Sequence, residues 1–174
     1  MGGSTSANAA GRTAVARGRG VALYPLDVNE ALSEGLGQAL RDGIERGYAG
    51  ETLALPREAS AFTIVAAGVE VGVLALRREW PSAGAVTVVA LAIDPEARGH
   101  SYGARALFVA ERAFGGVDER WFAIVPRTNG RGLYFMLRCG YAPLLEPPVA
   151  DCEGVTWFER ASLPAWPRLR RPLG

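Results

Sequence analysis

Two stretches of this 174-residue chain carry residue types whose spacing could do chemistry. The first is Arg98-Gly99-His100-Ser101-Tyr102-Gly103-Ala104. It follows an apolar run ending Leu91-Ala92-Ile93-Asp94-Pro95 and opens an amphipathic segment that reaches Phe114, the pattern of a strand, a tight turn and a helix. The first N–H groups of a helix have no intrahelical acceptor, and the helix dipole adds positive potential there, so such a turn can cradle an anion. Gly99 and Gly103 permit close backbone approach, Arg98 can neutralise a phosphate, and the Ser101 hydroxyl can add a donor. Without a ligand, the same residues make an ordinary strand–loop–helix turn. A dinucleotide fingerprint fits less well, because the glycine spacing is not GxGxxG and the element is not N-terminal.

The second stretch, about thirty residues later and after one more apolar strand, is Asn129-Gly130-Arg131-Gly132-Leu133-Tyr134-Phe135-Met136-Leu137-Arg138-Cys139-Gly140-Tyr141. Thr128 or Asn129 can cap a short helix, and the Tyr134 phenol is a candidate proton donor. Its structural alternative is a core aromatic with the hydroxyl on a carbonyl. Cys139, at the helix end, reads as a packing residue and not as a nucleophile. His100 is the only histidine, and the two cysteines, Cys139 and Cys152, form no CxxC pair. That inventory argues against a structural zinc site and against a Ser-His-Asp triad, and no metal is expected.

In these two motifs the chain resembles the GNAT superfamily of acyl-CoA-dependent N-acetyltransferases. The first resembles that family's Arg/Gln-x-x-Gly-x-Gly/Ala pyrophosphate loop, preceded by hydrophobic-Asp-Pro, here Ile93-Asp94-Pro95. The second resembles its Asn followed by Leu-Tyr-x-x-x-Gly-Phe/Tyr. The resemblance covers residues 21–160 and is strongest over 91–141. It implies an α/β single-domain GNAT-like fold, with a central mixed, mostly antiparallel sheet flanked by helices and splayed central strands. It also implies acetyl-CoA as cosubstrate. Arg98, Gly99, His100, Ser101, Tyr102, Gly103 and Ala104 would cradle its pyrophosphate, Leu91 and Ile93 would offer main-chain groups to the pantetheine arm, and Asn129 would hydrogen-bond that arm. Tyr134 would be the catalytic residue, a general acid on the departing thiolate. The implied activity is transfer of an acetyl group to a primary amine of a small molecule or peptide by direct attack in a ternary complex. The alternatives are a non-catalytic acyl-CoA-binding regulatory or interaction domain, and a CoA-thioester hydrolase or decarboxylase. The chain departs from the motif at Ser101, where the family has a glycine. A serine there costs about 1 kcal/mol if the position needs positive φ.

Other elements must position these residues. A strand candidate at Val21–Leu26 precedes a helical pattern over 27–45, with Asp27 as cap and Glu30 three residues on. Runs at 60–67 and 71–77 are β-rich around Gly68-Val69-Glu70, and Trp80-Pro81-Ser82-Ala83-Gly84 is a second turn. Ala85–Ile93 is apolar nearly throughout, as expected of a strand at the centre of a sheet. In the helix after the cradle, Gly103, Leu107, Ala110 and Phe114 share one face and Gly115-Gly116 ends it. Further strands are expected at 121–125, 141–145 and 155–159. The order of strands and helices predicts one α/β domain. No general base stands out: the central strand has no carboxylate or imidazole, and Glu34, Asp42, Glu45 and Glu79 are ordinary charges that could face an acceptor.

The formal net charge of +1 argues against a strongly basic nucleic-acid module, and the use of arginine for all 19 basic residues reads as codon bias and not as chemistry. With 49% hydrophobic residues, the chain can build a core. No apolar run reaches membrane-spanning length and the start lacks a secretory h-region, so a cytoplasmic protein, monomer or homodimer, is expected. Residues 1–20 read as a disordered leader and 161–174 as a Pro/Arg-rich tail around Trp166.

Overall fold

The computed structural model describes residues 12–26, 58–116, 119–149 and 153–160. Eight strands form one sheet: β1 (Ala16–Gly18), β2 (Val21–Leu26), β3 (Ala59–Ala66), β4 (Val69–Arg78), β5 (Ala85–Ile93), β6 (Arg120–Pro126), β7 (Tyr141–Pro143) and β8 (Val155–Arg160). Their spatial order is β1-β2-β3-β4-β5-β6-β8-β7. The helices are α1 (Tyr102–Phe114) and α2 (Gly130–Arg138), and a 3-10 turn spans Pro95–Ala97. This is the mixed, mostly antiparallel single-domain sheet expected; among the described strands, β5 with β6 is the one parallel pair.

The β3–β4 hairpin closes through Ala67 and Gly68, at φ 49° and 81°, which tightens the connection to two residues. The apolar stripe of α1 packs Ala106, Leu107, Val109 and Ala110 into a cluster with Leu23, Ile64, Leu74, Val86 and Val88 of the sheet and Met136 of α2. Both described helices therefore cover the same face. The other face carries Ala61, Ala75 and Val89 in a second cluster.

Two expectations need revision. The leader expected through Gly20 contains a strand, since Ala16–Gly18 pair with Val21–Leu23 across Arg19 and Gly20. Small residues hid a short edge strand there. The strand expected at 141–145 ends at Pro143, although the Leu144 N–H still donates to the Trp157 carbonyl at 2.8 Å. The helix expected over 27–45, the tail from residue 161 and Cys152 lie outside the described residues. No described helix is long and apolar enough to cross a membrane.

The central strands splay. β5 pairs with β6 only from Ala85↔Arg120 to Val88↔Ala123. Beyond that point β5 keeps its partner β4 as far as Gly72↔Ile93, and β6 keeps β8 as far as Pro126↔Val155. The divergence begins beside a β-bulge, where Leu76 pairs with Val88 but Ala75 pairs with Ala90, so that Val89 is the extra residue. A bulge bends its strand and increases its twist, which turns the last residues of β5 away from β6.

Candidate active site

The wedge between β5 and β6, the start of α1 and the start of α2 meet at one end of the sheet. Asp94 donates its N–H to the Val71 carbonyl on β4 at 3.0 Å. By the alternation of an antiparallel ladder, Ala92 and Ala90 also face β4, and the main-chain groups of Leu91 and Ile93 face the wedge. Their side chains meanwhile pack against the α1-side core.

The loop from β5 to α1 is shaped by its backbone. Asp94 caps the 3-10 turn through its carboxylate, which accepts from the Glu96 N–H at 2.9 Å. Gly99 has φ 86° and Ser101 φ 60°. Ser101 is the N-cap of α1, yet its side chain makes no capping hydrogen bond. The first intrahelical bond runs from the Arg105 N–H to the Ser101 carbonyl at 3.0 Å. The N–H groups of Tyr102, Gly103 and Ala104 precede it and point out of the helix start, the geometry of an anion cradle.

Arg98 folds back, donating from Nε to the Ile93 carbonyl at 3.2 Å, which places its charge at the mouth of the wedge. His100 Nδ1 lies 3.1 Å from the Arg98 carbonyl and 3.3 Å from that of Ala97. A nitrogen facing two carbonyls carries a proton there and donates. The imidazole stacks on Tyr102 with centroids 5.5 Å apart.

The departure from the motif at Ser101 has a testable consequence. A serine at φ 60° carries a steric cost that glycine does not. Ser101→Gly is expected to raise stability by about 0.5–1 kcal/mol, read by thermal or urea unfolding. Anion binding should be at least as tight, because the backbone N–H groups are untouched. Weaker binding would instead make the hydroxyl a ligand.

On the other side of the wedge, β6 ends at Pro126 and Asn129 caps α2, its Oδ1 accepting from the Gly132 N–H at 2.9 Å. The side-chain NH2 is the part of Asn129 able to donate outward. Tyr134 is 60% exposed, which rules out a core role for it. Its hydroxyl accepts from Arg138 Nη1 at 3.2 Å, and the guanidinium lies 5.9 Å from the ring centroid. Phe135, next in sequence, packs towards the first turn of α1: a Cβ on Gly103 would sit 3.4 Å from its ring. The cradle and the helix bearing Tyr134 are thus direct neighbours.

Sequence reasoning missed a polar cluster behind these two helices. Tyr141 donates to Glu111 Oε1 at 2.8 Å, Arg160 Nε lies 3.4 Å from the same oxygen, and Arg160 Nη1 donates to the Cys139 carbonyl at the end of α2. These partners are 21 to 49 residues apart in the chain, so no local pattern announces them. Burial pushes the Glu111 carboxyl above its ordinary value of 4.5, against the lowering influence of the Tyr141 hydrogen bond and the Arg160 charge. Burial, then the Glu111 charge, pushes the Cys139 thiol up, consistent with packing and not nucleophilic chemistry. Burial likewise pushes Tyr141 far up, so it remains a donor.

Because the folded state holds the Glu111 proton more tightly than the unfolded chain, stability associated with this group is full below pH 4.5 and declines as pH rises through the raised folded value. In Glu111→Gln, which keeps an acceptor for Tyr141, this decline should vanish. Unfolding midpoints of both proteins, followed upward from pH 4, should converge or cross as pH rises; parallel curves would contradict the assignment.

Of the carboxylates considered as bases, Glu79 lies at the wrong end of the sheet. It accepts from the Gly84 N–H at 2.9 Å, beside the start of β5. Glu34, Asp42 and Glu45 lie outside the described residues. Among the described residues, no group of three His, Cys, Asp or Glu side chains converges on a point.

No protein-family model matches the chain, and no curated protein does. Solved structures do. A GCN5-related N-acetyltransferase from Brucella melitensis aligns over 85% of this chain and 78% of its own, with TM-score 0.62 and 18% identity. A probable acetyltransferase of the GNAT family from Chromobacterium violaceum covers 91% and 93%, with TM-score 0.58 and 18% identity. A Bacillus subtilis acetyltransferase solved in complex with CoA covers 82% and 98%, with TM-score 0.52 and 15% identity. With its strand order, its splayed central pair and its loop–helix junction, the chain has the fold of the GNAT acetyltransferases.

Proposed function

We propose that this chain is an acyltransferase that moves an acetyl group from acetyl-CoA to a primary amine by direct attack in a ternary complex. One observation carries the reading. A helix start with outward N–H groups, a wedge between two diverging strands and an exposed tyrosine hydroxyl all meet at one end of the sheet. That combination suits a long thioester with a pyrophosphate in its middle, and the CoA bound to the Bacillus subtilis protein of like fold agrees with it.

In this reading the N–H groups of Tyr102, Gly103 and Ala104, with those of Gly99, His100 and Ser101, hold the pyrophosphate, and Arg98 adds charge. Leu91 and Ile93 pair with the amide-bearing arm as a further strand would, and the Asn129 NH2 donates to it. The amine nitrogen attacks the thioester carbon, the C–N bond forms and the C–S bond breaks. Tyr134 gives its proton to the leaving sulfur, with the positive charge of Arg138 beside the oxygen left behind, and the proton released by the newly acylated nitrogen passes to water, from which the phenol is restored. The acceptor nitrogen must be uncharged to attack. With no base assigned, the rate should rise with pH as the acceptor deprotonates.

The test is thiol release from acetyl-CoA with a panel of small-molecule and peptide amines, with the N-acetylated product identified by mass. Amine-dependent release in equal amount to product supports the reading. Release without amine selects the hydrolase alternative. CoA binding with no turnover on any amine selects the binding-domain alternative.

A further inference from the structure

The mechanism above leaves two arginines unused that the fold has placed together. In the β1–β2 turn, Arg19 is left-handed at φ 49° and Gly20 follows at φ 78°. The turn folds onto the outer face of α1. The Arg19 guanidinium lies 3.7 Å above the centroid of Phe108, and a Cβ on Gly20 would be 3.7 Å from Arg105 Nη1. Arg105 and Phe108 are three residues apart, neighbours on one helix face. Arg105 in turn lies over the ring of Tyr102, the first residue of α1, at 5.8 Å.

Four other arginines face carboxylates: Arg77 with Glu58, Arg78 with Glu119, Arg120 with Glu159 and Arg160 with Glu111. Among the described residues, Arg19 and Arg105 have aromatic faces and no ion pair. Arg105 Nη1 thus lies beside the residue that follows Arg19, so two like charges share one turn with no carboxylate paired to them among the described residues, and both are exposed. A phosphate monoester dianion between them would remove the repulsion and accept from both guanidinium groups. The pair adjoins the anion cradle through Tyr102, so the phosphate it suits belongs to the same ligand as the pyrophosphate.

We infer that Arg19 and Arg105 form a second phosphate site, which takes the ribose 3′-phosphate of CoA and makes the protein discriminate CoA from 3′-dephospho-CoA. This rests on the CoA reading of the cradle. It gives the β1–β2 hairpin a function that composition alone hides.

Calorimetric titration of CoA and 3′-dephospho-CoA tests it, on the full chain and on Arg19→Gln, Arg105→Gln and Arg131→Gln, with unfolding midpoints confirming that each variant is folded. The native chain should prefer CoA by about tenfold or more. Arg19→Gln and Arg105→Gln should each remove most of that preference and leave dephospho-CoA affinity within about twofold, while Arg131→Gln keeps the preference. Raising the salt from 50 to 300 mM should shrink the preference, because the pair is exposed. Equal affinity of the native chain for both ligands overturns the inference, as does loss of preference in Arg131→Gln alone, and in either case the CoA reading stands. Binding of neither ligand overturns the CoA reading itself, and the second site with it.

Discussion

Replacing Tyr134 by phenylalanine is expected to lower kcat for acetyl transfer by about 10²-fold while leaving KM for acetyl-CoA within about twofold. Among the described residues, the hydroxyl's one hydrogen bond is that from Arg138 at 3.2 Å. Removing it from a side chain that is 60% exposed leaves no buried group unsatisfied, so the unfolding midpoint should not move by more than about 2 °C. A kcat loss without a stability loss is therefore the signature of proton donation. None of the binding contacts assigned to CoA involves the Tyr134 hydroxyl, which is why KM should hold. A variant with full kcat would make solvent the proton source and leave Tyr134 without a role. Thiol release under saturating acetyl-CoA and a fixed amine reads the outcome directly. Acetyl-CoA analogues with a less basic leaving thiol should show a smaller loss, because a better leaving group needs less protonation.

Several features of this site were legible in the residues, for local reasons. A glycine turn between an apolar strand and an amphipathic helix has few alternatives, and the cap at Asn129 is written in one side chain. The serine at 101 was readable as a difficulty because positive φ is a property of a single residue, and its φ of 60° is the strain foreseen. The parts that were not legible are relations between distant residues. Glu111, Tyr141 and Arg160 come from a helix and two strands, and only the fold brings them into contact. The β1 hairpin looked like leader because Ala16, Gly18 and Gly20 are small, although Arg19 finds its ring partner 89 positions later in Phe108. The wedge itself depends on a bulge at Val89, inside a run of apolar residues that would read the same with the extra residue anywhere along it.

A single glycine on β4 ties that wedge to the rest of the sheet, and Gly72→Ala should damage both stability and cosubstrate binding. Gly72 pairs with Ile93, the last residue of β5. A Cβ there would lie 2.5 Å from the Ala92 carbonyl oxygen and 2.6 Å from Ile93 Cδ1, with Ile64 Cδ1 at 3.1 Å on the other side. The side chains could rotate, but the carbonyl belongs to the backbone of β5 and can move only if the strand does. The expected cost is about 2–3 kcal/mol, read as a lower urea midpoint at unchanged slope. The same displacement has a functional side. It shifts Ile93, whose carbonyl accepts from Arg98 and whose other main-chain group faces the wedge, and it loosens the strand that leads directly into the cradle. KM for acetyl-CoA should therefore rise by about tenfold or more while kcat at saturation falls less, the opposite split from Tyr134→Phe. Stability loss with KM unchanged would mean that the strand end absorbs the methyl group without moving the wedge, and the assignment of Leu91 and Ile93 to the pantetheine arm would fall.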